Sequence, residues 1–206
     1  MALQAIQKSG RYCVRALLTT LTQGYDRVSM HGVRIQLLHA QAASLGLPLE
    51  EVWIPRDASN AIYEERMRAA VEKYLELSVS GVAFGDLFLA DLRTYREVRL
   101  REIGMKGVFP LWHRKTDRLA GRFIDLGFRA VTCCVDSRKL PRDYCGVAYD
   151  REFLGRLPRD IDPCGENGEF HTFVFDGPLF KRELDFSLGQ VVSRGGFYFA
   201  DLVPVG

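Results

Sequence analysis

No apolar run in this chain approaches the roughly 20 consecutive residues that span a bilayer, so nothing in it reads as a membrane helix. The opening Met-Ala-Leu-Gln-Ala-Ile-Gln-Lys-Ser-Gly is amphipathic and lacks the apolar core of a signal peptide. An excess of one charge is missing too: 28 basic residues face 26 acidic ones, for a net charge of +2. That balance gives no reason to expect nucleic acid or an anionic membrane as partner. Paired Cys-x-x-Cys spacing is absent, and five cysteines are an odd number, which argues against a disulfide framework or a structural zinc site. Internal repeats and low-complexity tracts are absent as well. What remains is a chain of 206 residues, 47% hydrophobic and 26% charged, the composition of a globular protein with one large domain or two small ones. A cytoplasmic location is expected.

Strand-like and helix-like segments alternate through the first two-thirds. Residues 14–20 (Val-Arg-Ala-Leu-Leu-Thr-Thr) read as a buried strand. Residues 29–45 show helical spacing, with Val33, Leu37, Leu38, Ala42 and Leu45 on one face and Gly46 as the stop. A short strand at 51–55 is followed by a helix capped by Ser59 or Asn60, running to about residue 77 with Ile62, Met67, Ala70, Val71 and Tyr74 inward. Residues 81–85 form a continuous apolar strand ending at Asp86, and 89–103 a charged helix closed by Gly104. Thr116 caps a helix ending at Gly127, and 128–135 is the last strand of the series. Apolar runs without alternation imply burial on both faces. The rhythm predicts an α/β fold with a Rossmann-like, mostly parallel sheet and flanking helices. Ligands in such folds sit beyond the carboxyl ends of the strands, where Thr19, Thr20, Gly85, Asp86 and Asp136 fall. The rhythm breaks near Ser137. Residues 140–162 are polar and irregular, with one helix around 149–156, and strands follow at 171–175, 184–192 and 197–202. Gly195-Gly196 reads as a hairpin turn. The expected organisation is a sheet domain over residues 1–136 and a smaller, β-rich α+β subdomain over 137–206.

The densest cluster of chemistry-bearing groups is Asp162-Pro163-Cys164-Gly165-Glu166-Asn167-Gly168-Glu169-Phe170-His171. Carboxylates beside an imidazole suit acid–base work or the holding of a metal-bound phosphate. The alternative is a turn whose Asp, Asn and Glu satisfy their own backbone. Two glutamates in one turn, and an imidazole opening a buried strand, favour a site. Cys164 has no identifiable partner base, and Cys133 and Cys134 lie in an apolar run, so all three read as ordinary thiols. His31 and Arg34 open the helix after the first strand, where free N–H groups suit phosphate. Local pattern alone favours a plainer reading there, with Asp26 or Ser29 as cap and His31 solvated. Asp86 is either a ligand or Mg²⁺ contact or the cap of the next helix. Arg93 and Arg96, nearest the strand end, lie on a mixed-charge helix that reads as a solvated face.

Taken together these motifs resemble the diphthine–ammonia ligase family, within the PP-loop ATP pyrophosphatases of the adenine-nucleotide α-hydrolase superfamily. The resemblance runs through Leu18-Thr19-Thr20, Tyr25-Asp26-Arg27-Val28-Ser29-Met30-His31-Gly32-Val33, Ala58-Ser59-Asn60, Val82-Ala83-Phe84-Gly85-Asp86-Leu87-Phe88-Leu89, Phe109-Pro110-Leu111-Trp112 and Gly165-Glu166-Asn167-Gly168-Glu169-Phe170-His171-Thr172. It implies a Rossmann-like fold of HUP type and a reaction in which ATP, with Mg²⁺, activates a carboxylate as an acyl-adenylate and ammonia displaces AMP. The implied partners are ammonia and a carboxylate substrate, in the family the diphthine side chain of elongation factor 2. A homodimer is compatible with it. The resemblance places the nucleotide near Thr19, Thr20, His31, Gly85 and Asp86, and the acceptor carboxylate and ammonia near Glu166, Asn167, Glu169 and His171. No residue is expected to be a protein ligand of a metal.

One departure stands out. The family's first strand leads into Ser-Gly-Gly-Lys-Asp-Ser, its pyrophosphate-binding loop, and neither that string nor a Walker-type Gly-x-x-x-x-Gly-Lys occurs here. A start assigned too late, a shortened chain, or a natural homologue that has lost the loop would each account for it; the intact downstream motifs favour the first. Residues 1–206 alone are therefore expected to bind ATP weakly or not at all. The full-length protein is expected to be an amide-forming ligase. A nucleotide-binding homologue without ligase activity, or a PP-loop ATPase acting on another carboxylate, are the rival readings.

Overall fold

The computed structural model describes residues 1–25 and 27–205. In chain order its elements are α1 (Ala2–Ser9), β1 (Leu17–Thr22), α2 (Ile35–Leu45), β2 (Leu49–Ile54), α3 (Asn60–Glu76), β3 (Gly81–Ala83), α4 (Ala90–Glu102), β4 (Lys106–Val108), α5 (Thr116–Asp125), β5 (Arg129–Asp136), α6 (Arg151–Arg156), β6 (Phe170–Asp176), β7 (Phe186–Arg194) and β8 (Phe197–Pro204). They form two compact units: Met1–Gly24 with Pro48–Arg114, and Tyr25–Leu47 with the chain from Lys115 onward. The expected division after Asp136 lies inside the second unit. The fold is mixed α/β, with parallel strands flanked by helices and an antiparallel sheet toward the C-terminus. No helix among the described residues is long and apolar enough to cross a membrane.

In the first unit β1 and β2 run parallel, from Leu17 opposite Leu49 to Thr22 opposite Ile54. β3 and β4 form a second parallel pair, with Gly81 opposite Lys106. The parallel strands thus make two separate two-stranded ladders, not one sheet. Apolar rhythm reports where strands and helices occur, but not which strand edges meet. Ser59 caps α3 as expected, its Oγ accepting the Ile62 N–H at 3.4 Å. Val71 of α3, Leu100 of α4 and Met105 form the buried apolar cluster, with Leu18, Val82 and Phe84 against it. Ile62, expected inward, is 38% exposed. The rim of α3 is polar: Lys73 and the Tyr74 hydroxyl meet Glu50 at 2.7 and 3.0 Å, and Arg99 meets Glu64 at 2.9 Å. Such exposed pairs contribute up to about 1 kcal/mol each.

The second unit is built on a four-stranded sheet of order β6-β5-β8-β7. β5 was expected to close the parallel series; it instead runs antiparallel to both β6 and β8. The reason is burial. β5 lies inside the sheet, every residue after Arg129 is buried, and a strand covered on both faces is apolar throughout whichever way its neighbours run. Cys133 and Cys134 therefore both sit inside. β7 and β8 form the expected hairpin, and both turn glycines have positive φ, 58° at Gly195 and 83° at Gly196, the geometry of a type I′ turn.

Helix α2 packs on this sheet. Val33 and Leu37 share one buried cluster with Cys133, Val135, Phe170 and Leu202. Polar ties fix it in place: Gln41 donates to the Val174 carbonyl at 2.7 Å, and the Ser44 hydroxyl donates to the Arg182 carbonyl at 2.7 Å while accepting the Arg182 N–H at 3.2 Å. Gly46 stops the helix, as expected. Its start differs, because residues 29–34 are not helical. They belong to a tight turn in which Arg27 bridges Arg34, and the residue before α2 is Arg34, with no side-chain cap. Ser29 does not cap α2; Asp26, the other expected cap, lies outside the described residues.

Candidate functional site

Loop 162–171 runs into β6 and is organised by two of its own carboxylates. Asp162 Oδ1 accepts the N–H of Cys164 at 2.8 Å and of Glu166 at 3.4 Å, while the Asp162 carbonyl accepts Gly165 N–H at 2.9 Å. Gly165 has φ +69°, and a Cβ there would come 2.6 Å from the Phe170 carbonyl oxygen, so only glycine fits. Glu169 lies beneath the loop, 1% exposed. Its Oε1 accepts Asp162 N–H at 3.2 Å and Asn167 Nδ2 at 2.9 Å, and its Oε2 accepts Asn167 N–H at 2.9 Å. Burial pushes this carboxyl up, but the hydrogen bonds and the Lys139 charge outweigh it and hold it below the usual carboxylate range. Glu169 is thus a charged brace, its carboxylate turned into the loop, and Asn167 is its partner.

His171, near the start of β6, faces His31 from the 27–34 turn; the ring centroids are 4.4 Å apart and tilted by 31°. Burial, then the neighbouring His171, lowers His31 to about 4, and burial lowers His171 as well. Both imidazoles are therefore neutral at neutral pH. The turn that carries His31 is held by charge. Arg27 donates to the Gly32 carbonyl at 2.8 Å and to Asp201 Oδ1 at 2.9 Å. Arg34 grips the same carboxylate with two nitrogens at 2.9 and 2.8 Å. These hydrogen bonds, led by Arg34, lower Asp201 to about 2 against its desolvation. His31 was read as solvated; it is partly buried in a clamped turn that feeds into α2.

The two rings, with Cys164, Glu166, Phe170 and Thr172, line a cavity of about 290 Å³. Cys164 is no nucleophile: its Sγ donates to the Thr116 carbonyl at 3.3 Å, and burial, with the Asp162 and Glu166 charges, pushes the thiol up to about 12. Of the expected site residues, His31, Glu166 and His171 come together on this cavity, with Asn167 and Glu169 bracing the loop behind them.

Thr19, Thr20, Gly85 and Asp86 belong to the first unit. Thr19 and Thr20 are half-buried on β1, opposite Glu51 and Val52. Gly85 is exposed beyond β3, and Asp86 is buried in an ion pair with Arg96 of α4, whose guanidinium lies 4.5 Å over the Phe84 ring. Asp86 does not cap α4, whose preceding residue is Leu89. Arg93 is likewise engaged, with Glu97 at 2.8 Å and over the Phe109 and Trp112 rings at 4.7 Å. Among the described residues no three His, Cys, Asp or Glu side chains converge as a metal site. Sequence reasoning missed the Arg27–Asp201–Arg34 clamp. Its partners lie 174 and 167 residues apart, and no local pattern links them.

Residues 1–107 match the family model described as the diphthamide synthase N-terminal domain, and residues 115–197 that of the diphthamide synthase C-terminal domain. A diphthine–ammonia ligase of Schizosaccharomyces pombe is 31% identical over 113 residues, 51% of this chain and 19% of that protein. Those of Bos taurus and Homo sapiens are 26% and 25% identical over 193 residues, 85% of this chain and 70% of each relative. The chain therefore spans a minor part of the yeast relative and about two-thirds of the mammalian ones.

Proposed function

Since this chain belongs to the diphthamide synthase family, we propose that it serves the ATP-dependent amidation of a carboxylate, the reaction its diphthine–ammonia ligase relatives are named for. The acceptor is the diphthine side chain of elongation factor 2, the nitrogen comes from ammonia, and the carboxylate is activated as an acyl-adenylate. A carboxylate resists attack by ammonia because oxide is no leaving group; adenylation supplies one. The observation that carries this reading is the braced loop with His31, Glu166 and His171 on one cavity; Glu166 and His171 lie in the stretch that matches the C-terminal family model, and His31 in the one that matches the N-terminal model. On this reading Glu166 and His171 contact the acceptor side, Asn167 and Glu169 position the loop, and Thr19, Thr20, Gly85 and Asp86 line the nucleotide side. Asp86, the residue weighed as a Mg²⁺ contact, is committed to Arg96. The ion belongs with the phosphates of ATP, and no residue here is assigned to it.

The test is AMP release from ATP·Mg²⁺ by the full gene product, with diphthine-bearing elongation factor 2 present and ammonium supplied or withheld. AMP that depends on both acceptor and ammonium supports the reading; none, or AMP indifferent to ammonium, contradicts it. The rival reading is a nucleotide-binding homologue without ligase activity. ATP binding with no AMP release is its signature.

A further inference from the structure

Loop 162–171 has the glycine content of a phosphate cradle, but its donors are spent. The N–H groups of Cys164, Gly165, Glu166, Asn167 and Gly168 are taken in turn by Asp162, by the Asp162 carbonyl, by Asp162 again, by Glu169 and by the Gly165 carbonyl. The Cys164 thiol is directed at the Thr116 carbonyl. A phosphate needs converging donors, and this loop has used its own. The cavity instead gathers acceptor-bearing groups: two imidazoles, each carrying one acceptor nitrogen when neutral, and Glu166 on the same wall. Such a lining suits a small nitrogen ligand that donates N–H bonds. The rings are also pre-positioned. His171 is fixed by its register opposite Cys134 in the sheet, and His31 by the Arg27–Asp201–Arg34 clamp.

We propose that the His31–His171 pair holds the ammonia nucleophile and takes its proton as the amide forms. This role rests on the amidation reading; His31 then works on the acceptor side and not on the nucleotide. In the step, the nitrogen lone pair forms the C–N bond to the acyl carbon, and the C–O bond to AMP breaks with its electron pair passing to the phosphate oxygen. The nitrogen, now positively charged, passes one proton to an imidazole nitrogen, leaving a neutral amide. The imidazolium returns that proton to solvent. With centroids 4.4 Å apart, two charged rings would repel, so the pair carries one proton at a time. A base must be unprotonated to act, and burial keeps both rings so at neutral pH.

The test needs no turnover. Ring-nitrogen NMR of the unmodified protein is recorded at neutral pH while ammonium chloride is titrated against sodium chloride at equal ionic strength. His31→Gln and His171→Gln assign the two signals. Saturable shifts of both rings with ammonium and not with sodium, lost when either imidazole is removed, support the pair. Rings blind to ammonium overturn it, even if the full gene product releases AMP. Ring shifts with no ammonium-dependent AMP release would keep the nitrogen subsite and sink the amidation reading along with the proton-transfer step. In an active protein, removing either imidazole is expected to lower amide turnover at least about 100-fold.

Discussion

His31 stays neutral where an ordinary histidine charges. Its ring titrates near 4, down from 6.5, because it is buried and faces His171. The unfolded chain therefore takes up the proton first, and stability falls as pH drops from 6.5 toward about 4. A His31→Gln variant is expected to lose this part of the pH dependence, so its urea midpoint declines less steeply over that window than the wild type's. Equal slopes would mean a solvated ring. Asp201 works on the acid side. Its carboxyl is lowered from 3.8 to about 2, so its stabilisation is complete above 3.8 and fades as pH falls to about 2. Asp201→Asn is expected to cost about 1–2 kcal/mol at neutral pH, after allowance for partial exposure. Urea unfolding at a series of pH values should show that difference closing in acid. The two sites were not equally legible in the sequence. Glu166 and His171 stand out because they share one short loop, whereas Asp201 meets Arg27 across 174 residues. Glu169 was legible as important but not as what it is: a turned-in carboxylate and an exposed one look alike in a sequence.

Element by element, local pattern served best where one helix or turn decides its own shape. Ser59, Gly46 and Gly195-Gly196 act as their chemistry dictates. It failed where the answer depended on a distant neighbour. β5 is apolar because both faces are covered, which says nothing of strand direction. The turn before α2 reads as helix because Val33 continues the α2 face, yet Gly32 and Met30 sit at φ 70° and 63°, outside helical geometry. Leu37 anchors α2 in the larger core, where it is 2% exposed, beside the polar ties of Gln41 and Ser44. Leu37→Ala is expected to cost about 3 kcal/mol, and to broaden the His31 ring signal by loosening the turn that leads into it; chemical denaturation and NMR read these two effects. Loop 162–171 is held by Glu169. Glu169→Gln would turn an amide NH₂ toward the N–H groups it now accepts, at a cost of about 1–3 kcal/mol. Faster amide exchange at Asn167 than in the wild type is the readout. Unchanged exchange would remove Glu169 from its bracing role.

At the scale of the whole molecule, the chain forms two compact units. The first carries parallel strand pairs, with Gly85 and Asp86 beyond the end of β3 but Thr19 and Thr20 inside β1, which runs on to Thr22; the second carries an antiparallel sheet with the braced loop and the paired imidazoles. The alternation of apolar segments announced the first kind of architecture, and the hairpin signals announced the second. That residues 25–47 join the C-terminal sheet was hidden, because Gln41, Ser44 and the two clamp arginines find partners more than a hundred residues away. The proposed function is the amidation of an activated carboxylate by ammonia. The most direct test is nitrogen transfer itself. The full gene product is incubated with ATP·Mg²⁺, diphthine-bearing elongation factor 2 and nitrogen-15 ammonium, and the acceptor is read by mass spectrometry. The account predicts labelled amide in the acceptor in step with AMP. AMP without label, or an acceptor left as the free carboxylate while ATP is bound, would contradict it.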